Sequence, residues 1–341
     1  MRSWFFSLIR CAVFAGTAVL SGGAPAQTPA APAAATAPAA ATAALPQAPI
    51  RLIVPFTPGT GIDLIARTLG PRLSERLGRP VMVDNRAGAS GNIGTEAVVC
   101  AAPNGSTLLV TVNTLVMNAS LYPQLGFDPV KDLTPVTTTS WGQLALVVSP
   151  KTGYKTAAEF MEAARQAPGQ INYASAGVDT PHHLAMELLK TTSGIFVTHI
   201  PDRGTGPALT DLLGGQVDAM FLPIHVALPH VKSGRLVALG LGSDKRHPLL
   251  PDVPTLAEAR AGNVNVDMWY GVFAPPGTSP ELVALFNRKI REILRSDEVK
   301  KAFQTQGMDP ASSTPAEFQK LVKADAKRWA LLIRRQRITA D

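Results

Sequence analysis

Cysteine is almost missing: the 341 residues contain two, Cys11 inside an N-terminal apolar run and Cys100 alone. If that run is removed, no intramolecular disulfide can form even in an oxidising compartment, so packing must hold the fold. Aromatic residues make up 6% and charged residues 17% against 46% hydrophobic. That balance suits a folded soluble protein better than a disordered or membrane-embedded one. No block of consecutive Lys or Arg suggests a nucleic-acid surface. Neither G-x-G-x-x-G nor G-x-x-x-x-G-K-[ST] occurs, which disfavours nucleotide binding, and H-E-x-x-H and G-x-S-x-G are missing too. Two common hydrolase signatures are therefore absent, although a triad assembled from distant residues leaves no such trace.

What is present begins with a secretory pattern. Arg2 and Arg10 precede an apolar run from Cys11 to Leu20, followed by Ala24-Pro25-Ala26. The run is far shorter than the roughly 20 residues that span a bilayer, so it reads as a signal peptide, residues 1–26, cleaved after Ala26. No cysteine stands at the cleavage point to take a lipid, and the expected localisation is the periplasm. Cleavage takes Lys+Arg from 32 to 30 against 25 Asp+Glu, so the net charge falls from +7 to +5. A positive surface raises the encounter rate with anions. Residues 27–48 are nearly all Ala, Pro and Thr, a composition that buries too little apolar surface to order itself and reads as a disordered linker.

The remaining length exceeds what one core usually serves, so two lobes are expected. Short apolar runs alternate with amphipathic stretches, the pattern of βα units and a largely parallel sheet. Strands are expected at 50–56, 81–83, 107–112, 144–149, 171–174, 196–200, 217–222, 236–241 and 269–274. Helices are expected from Ile62 through Leu77, after Pro181, Pro207 and His225, and through most of the chain beyond Ala274. Start signals are a Thr156/Glu159 capping box, Ser279-Pro280, and Thr314-Pro315-Ala316-Glu317.

Two strand-to-helix junctions carry the binding chemistry. In Val54-Pro55-Phe56-Thr57-Pro58-Gly59-Thr60-Gly61-Ile62-Asp63 a strand ends, glycines turn the chain and a helix begins. Small residues let a ligand approach the free N–H groups of the first turn, where the dipole favours an anion such as a carboxylate. Phe56, Thr57, Gly59, Thr60 and Gly61 are the candidates there, with Asp63 a structural cap. The segment from Tyr173 to His183 mirrors it: Ser175 and Thr180 offer hydroxyls, and Ala176 and Gly177 close approach. Adjacent His182 and His183 point different ways on a helix and lack zinc spacing, so no metal site is expected. A third glycine loop, Asn85 to Gly94, contributes Ala89. Asn113 and Asp202 complete the candidate ligand-binding set.

At these segments the chain resembles the tripartite tricarboxylate transporter substrate-binding proteins, the Bug family of extracytoplasmic solute receptors. The likeness runs from Pro49 to about Trp329, through Ile53 to Arg67, Asn85 to Gly94, Pro103 to Leu109, Lys131-Asp132-Leu133, Tyr173 to Leu184, Gly204 to Phe221 and Pro251 to Thr255. The resemblance implies a type II periplasmic-binding-protein fold, an α/β architecture of two lobes joined by two crossover strands with the ligand cleft between them. Placing the crossovers near Val148 and Tyr270 gives a first lobe of 49–148 plus 271–341 and a second of 149–270. It further implies a monomer that takes a mono- or dicarboxylate by lobe closure, without cofactor or catalysis, and delivers it to membrane transporter components. The rivals are a sensor subunit of a two-component system and a carboxylate-processing enzyme. The chain departs from the family pattern in having Asp179 where glycine is usual, Asp202 where tyrosine is common and Leu222 in place of a frequent Asp. Two acids gained and one lost near the cleft favour an amine-bearing ligand or one with fewer carboxylates. Trp141, Trp269 and Trp329 are expected to pack the lobes, while Tyr270 either walls the cleft or packs the hinge.

Overall fold

The computed structural model describes residues 47–122, 124–178 and 180–336. The expected signal peptide, residues 1–26, and nearly all of the expected linker, residues 27–48, lie outside the described residues, as does Asp179. Two sheets organise the chain. The first has six strands: β1 (Ile50–Val54), β2 (Val81–Asn85), β3 (Thr107–Val112), β4 (Thr134–Gly142), β10 (Met268–Ala274) and β11 (Met308–Pro310), in the order β11-β4-β10-β3-β1-β2. The second has five: β5 (Leu144–Val148), β6 (Asn172–Ser175), β7 (Thr198–Pro201), β8 (Ala219–Pro223) and β9 (Val237–Leu241), in the order β7-β6-β8-β5-β9.

The helices return the chain between strands, as parallel pairing requires. Around the first sheet lie α1 (Gly61–Leu77), α2 (Asn92–Val99) and α3 (Thr114–Leu121), with α8 (Pro280–Leu294), α9 (Asp297–Gln304) and α10 (Pro315–Gln336). The second sheet carries α4 (Ala157–Gln166), α5 (Pro181–Ser193), α6 (Thr205–Gly214) and α7 (Ile224–Lys232). Local chemistry sets several starts. Thr156 and Glu159 form the reciprocal capping box expected of them, and Ser279 caps α8 by accepting from the Leu282 amide. Among the described residues no helix is long and apolar enough to cross a membrane.

Both sheets are mixed rather than largely parallel. β1 pairs in parallel with β2 and β3, but β10 runs antiparallel to β3 and β4. In the second sheet β5 is antiparallel to β8 and β9. Of the reversed strands, β5 and β10 receive the chain from the other sheet, while β11 runs antiparallel to β4 at the edge of the first. The first passage comes at Gln143, between β4 and β5, so Val148 is not a crossover but the far end of a second-sheet strand. The physical reason is β4, a threonine-rich strand paired between β10 and β11 that runs to Gly142 and hands the chain to the second sheet sooner than expected. The second passage runs through 242–267 and enters the first sheet at Met268, beside the Tyr270 position expected.

Covering both faces of a sheet demands apolar residues at consecutive positions. In β5, Leu144, Leu146 and Val148 join the main core while Ala145 and Val147 join a second cluster on the opposite face. β8 divides likewise, with Ala219 and Phe221 against Met220 and Leu222. Leu222 is fully buried in that second cluster and lines neither of the two cavities between the loops of the sheets. Trp269 and Trp329 are buried as expected of packing residues, and Trp141 partly so.

Candidate functional site

The end of β1 is shaped by a close approach. α2 lies so near that a Cβ on Gly94 would stand 2.7 Å from the Arg86 carbonyl oxygen and 2.8 Å from Pro55 Cα, both backbone atoms. Only glycine lets this helix lie against the turn that follows β1. Thr60 then opens α1: its hydroxyl donates to the Thr57 carbonyl at 3.1 Å and accepts from the Asp63 amide at 3.4 Å. Asp63 is the structural cap expected. Burial alone would raise its carboxyl, but the Arg67 side chain, the Gly59 amide and Asn85 hold it below the usual carboxylate range. The Gly61 and Ile62 amides, in the first turn of α1, keep no acceptor among the described residues.

The loop after β6 behaves differently from expectation. The Ser175 and Thr180 hydroxyls both donate to the Gly177 carbonyl, at 2.9 and 2.8 Å, and Ser175 Oγ lies 2.7 Å from His199 Nε2. The Gly177 amide is engaged by Ser175 Oγ at 3.2 Å. These hydroxyls therefore hold their own loop instead of offering themselves to a guest. Gly177, at φ +128°, permits the turn that brings its carbonyl back to them.

Two adjoining cavities lie between the loops of the sheets. The inner one, a narrow space of about 40 Å³, is lined by Phe56, Thr60, Gly61, Ile62, Val112, Thr114, Ala176, Thr180, Pro181, His182, Thr205, Pro223, His225, Val226, Met268 and Tyr270. The outer one, about 480 Å³, shares Phe56, Thr60, Ala176 and Thr205 and adds Thr57, residues 87–91, Gly177 and 202–204. Of the candidate residues, the structure brings together Phe56, Thr57, Thr60, Gly61, Ala89, Ala176, Gly177, Thr180 and Asp202. Gly59, Asn113 and Ser175 border neither cavity. Gly59 donates its amide to Asp63 at 3.0 Å, and Ser175 is fully buried. Asn113 ties the end of β3 to the second passage, its amide donating to the Trp269 carbonyl at 3.2 Å and its side chain to that of Asp267 at 3.1 Å.

The glycine loop on the outer wall is strained. Gly88, Ala89, Ser90 and Gly91 have consecutive φ values of +138°, +46°, +50° and +92°. An alanine or serine held there costs of order 1 kcal/mol. The conformation lets Ser90 Oγ donate to the Val178 carbonyl at 2.8 Å, joining the first lobe to the second across the mouth. Asn118 fixes the same loop by donating to the Ser90 carbonyl at 3.0 Å.

Sequence reasoning identified two helix starts at the cleft, but five line the inner cavity: Gly61 of α1, Thr114 of α3, Pro181 of α5, Thr205 of α6, and His225 of α7. Each N-terminus presents a partial positive charge and N–H groups lacking intrahelical partners. Among the described residues, no Lys, Arg, Asp or Glu lines this inner space. Tyr270, one of its walls, also packs under Gly142. Burial, reinforced by the nearby His225, pushes His182 down to about 3, and burial pushes His225 down to about 4, so both are neutral at physiological pH. Asp202 borders the outer cavity, with burial first and Asp211 second raising its carboxyl and one oxygen unpartnered.

The Ser175–His199 pair is not arranged for catalysis. His199 is stacked between Tyr173 and His183, at ring separations of 4.7 and 4.3 Å, and is held down to about 3 by burial, then by His183 and Lys190. Neither partner borders the inner or the outer cavity. Among the described residues, no group of three or more His, Cys, Asp or Glu is placed to hold a metal.

Comparison with known proteins follows this geometry. Residues 65–338 match the model of the tripartite tricarboxylate transporter family receptor. Protein BugT of Bordetella pertussis is 38% identical over 291 residues, covering 85% of this chain and 89% of that protein. A Rhodopseudomonas palustris protein solved with adipate superposes with a TM-score of 0.82 at 31% identity, covering 85% of this chain and 97% of its own. MatC from the same organism, with bound malate, gives 0.78 at 30% identity over 83% of this chain and 98% of its own. The two sheets and their passages are thus the two α/β lobes of a type II periplasmic-binding-protein fold.

Proposed function

Because this chain belongs to the tripartite tricarboxylate transporter receptor family, we propose that it is a periplasmic solute receptor that closes over a small organic carboxylate and presents it to membrane transporter components. The observation that carries this reading is the convergence of five helix N-termini on a cavity that no charged side chain lines among the described residues. Such a space stabilises a negative charge without a cationic clamp. The adipate and malate complexes of similar proteins support the solute class. The chain binds its solute and leaves it unchanged, acting as a monomer after cleavage following Ala26.

A thermal-shift panel of adipate, malate, benzoate, nicotinate, hexanoate and 6-aminohexanoate tests it. A true ligand at a hundred times its Kd should stabilise the protein by about 2.7 kcal/mol and be recovered intact. No shift across the panel sinks the carboxylate reading. A converted ligand sinks the receptor one.

The outer cavity refines the solute. Its wall carries Arg203 and also Asp202, one of whose carboxylate oxygens has no partner among the described residues; a solute end placed at Asp202 is attracted if it is an amine and repelled if it is a second carboxylate. 6-Aminohexanoate is therefore expected to bind about tenfold tighter than hexanoate near neutral pH, the size of one charge-assisted hydrogen bond. Asp202 has a raised pKa, so the preference is full while it is ionised and disappears as pH falls through that value. Calorimetry across pH reads the ratio, and Asp202→Asn should abolish it at every pH. An unchanged ratio in that variant refutes the assignment.

A further inference from the structure

His182 and His225 lie on the inner wall with all four ring nitrogens inaccessible to solvent and without a partner among the described residues. His182 is only 7% exposed. A buried polar group left unsatisfied costs roughly 1–3 kcal/mol, and two such rings side by side are a standing cost unless a guest meets them. Among the described residues they have no structural bond to explain them: neither ring hydrogen-bonds to a helix end, an acid or a carbonyl. The geometry places His225 against α1. A Cβ built on Gly61 would fall 2.7 Å from both Cε1 and Nε2 of His225 and 3.1 Å from the Tyr270 hydroxyl. The first residue of α1, the His225 ring edge and the Tyr270 hydroxyl therefore meet at one small volume on the cavity wall, with His182 close enough to His225 to feel its charge.

We infer that His182 and His225 form an inner anion subsite, donating through uncharged rings to one carboxylate of the solute beside the Gly61 and Ile62 amides. This rests on the receptor reading above and deepens it by assigning the solute an orientation: its carboxylate at the inner end, its body along Phe56, Val226 and Met268, its other end toward Asp202. The donors stay neutral for a physical reason. Five positive helix ends border the same cavity and, among the described residues, no acidic side chain lines it, so a proton on either ring would add a buried positive charge that no acid on that lining offsets. A neutral imidazole supplies one N–H without that cost. The solute's anion then meets donors at every inner wall, and a second carboxylate on the same solute would be left against Asp202.

The test uses acetate, the smallest carboxylate, and acetamide, its uncharged counterpart, on the full mature chain with ¹⁵N-labelled histidine. The six histidines give separable ring signals, and His182→Phe and His225→Phe assign two of them. Acetate should shift the His182 and His225 nitrogens saturably, in the pattern of a neutral ring with its N–H hydrogen-bonded, and acetamide should not. Each Phe variant should weaken acetate about ten- to a hundredfold, the loss of one hydrogen bond to a charged group. His182→Gln and His225→Gln, which keep an uncharged donor, should restore most of it, and apo melting curves check that every variant is folded. An imidazolium pattern on acetate binding overturns the inference, as does the absence of any saturable shift. If acetate moves neither ring while a member of the carboxylate panel still stabilises the protein, the inference falls and the receptor reading stands; if no carboxylate stabilises it, the receptor reading falls as well.

Discussion

Phe318→Ala should lower the unfolding free energy by about 3–5 kcal/mol, the cost of deleting a buried aromatic ring where neighbours cannot collapse. The ring comes from α10 and is fully buried. It meets Trp269 edge-on at 5.3 Å and Phe273 at 4.7 Å, both on β10, the strand by which the chain returns to the first sheet. Between them Gly271 leaves the space the ring occupies, since a Cβ there would fall 2.2 Å from Phe318 Cζ. Collapse is resisted because β10 is held on both sides, by β3 and by β4. The Trp269 indole is pinned as well, donating to Asp325 of α10 at 2.8 Å. Urea unfolding reads the effect as a lower midpoint at unchanged slope. A loss under about 1 kcal/mol would mean that α10 does not clamp this strand.

The strands that positioned both lobes were legible because they are buried on two faces. Runs such as Leu108-Leu109-Val110 and Leu144 to Val148 read as continuous apolar segments in any context. β4 was not legible. Its Thr137, Thr138, Thr139 and Ser140 look like a polar linker, yet all four are buried. Threonine suits a strand by its branching, but burying its hydroxyl needs a partner supplied from afar. Here Thr137 donates to the Ser313 carbonyl at 2.9 Å, across 176 residues of sequence, and Ser313 answers through its own hydroxyl to the Thr138 amide. No local pattern encodes such a pairing. Missing β4 displaced the first crossover from Gln143 to Val148.

The candidate site was half legible for a related reason. Glycine turns followed by amphipathic periodicity marked the starts of α1 and α5. The start of α3 gave no signal, because its first turn is Thr114-Leu115-Val116-Met117, buried all round and without periodicity. The hydroxyls of Ser175 and Thr180 were identified as donors from residue type, but which acceptor they choose depends on the path of Gly177. His225 was visible only as a helix start. Its role depends on α7 and α1 meeting across the two lobes, and a chain position cannot state that.

That meeting point makes Gly61→Val the most damaging change expected for binding. Gly61 is not among the glycines held at positive φ, so a side chain there strains no backbone. The obstacle is space: its Cβ would intrude on the His225 ring at 2.7 Å and the Tyr270 hydroxyl at 3.1 Å. Either the branched side chain occupies the volume in front of the α1 amides, or His225 is driven from it. Both outcomes remove donors from the inner end of the cleft. Carboxylate affinity should fall more than about a hundredfold, from one displaced charge-assisted bond and the steric block together. The apo protein should lose only about 1–3 kcal/mol, the usual cost of overpacking. Gly206→Ala is the matched control, since a Cβ there meets nothing within 4 Å and it borders neither cavity. The readout is the ligand-dependent rise in Tm for the carboxylate that stabilises the wild type most. If the Gly61 variant keeps that rise while the control also keeps it, the solute does not approach the start of α1, and the inner end of this cleft is not where its charge is held.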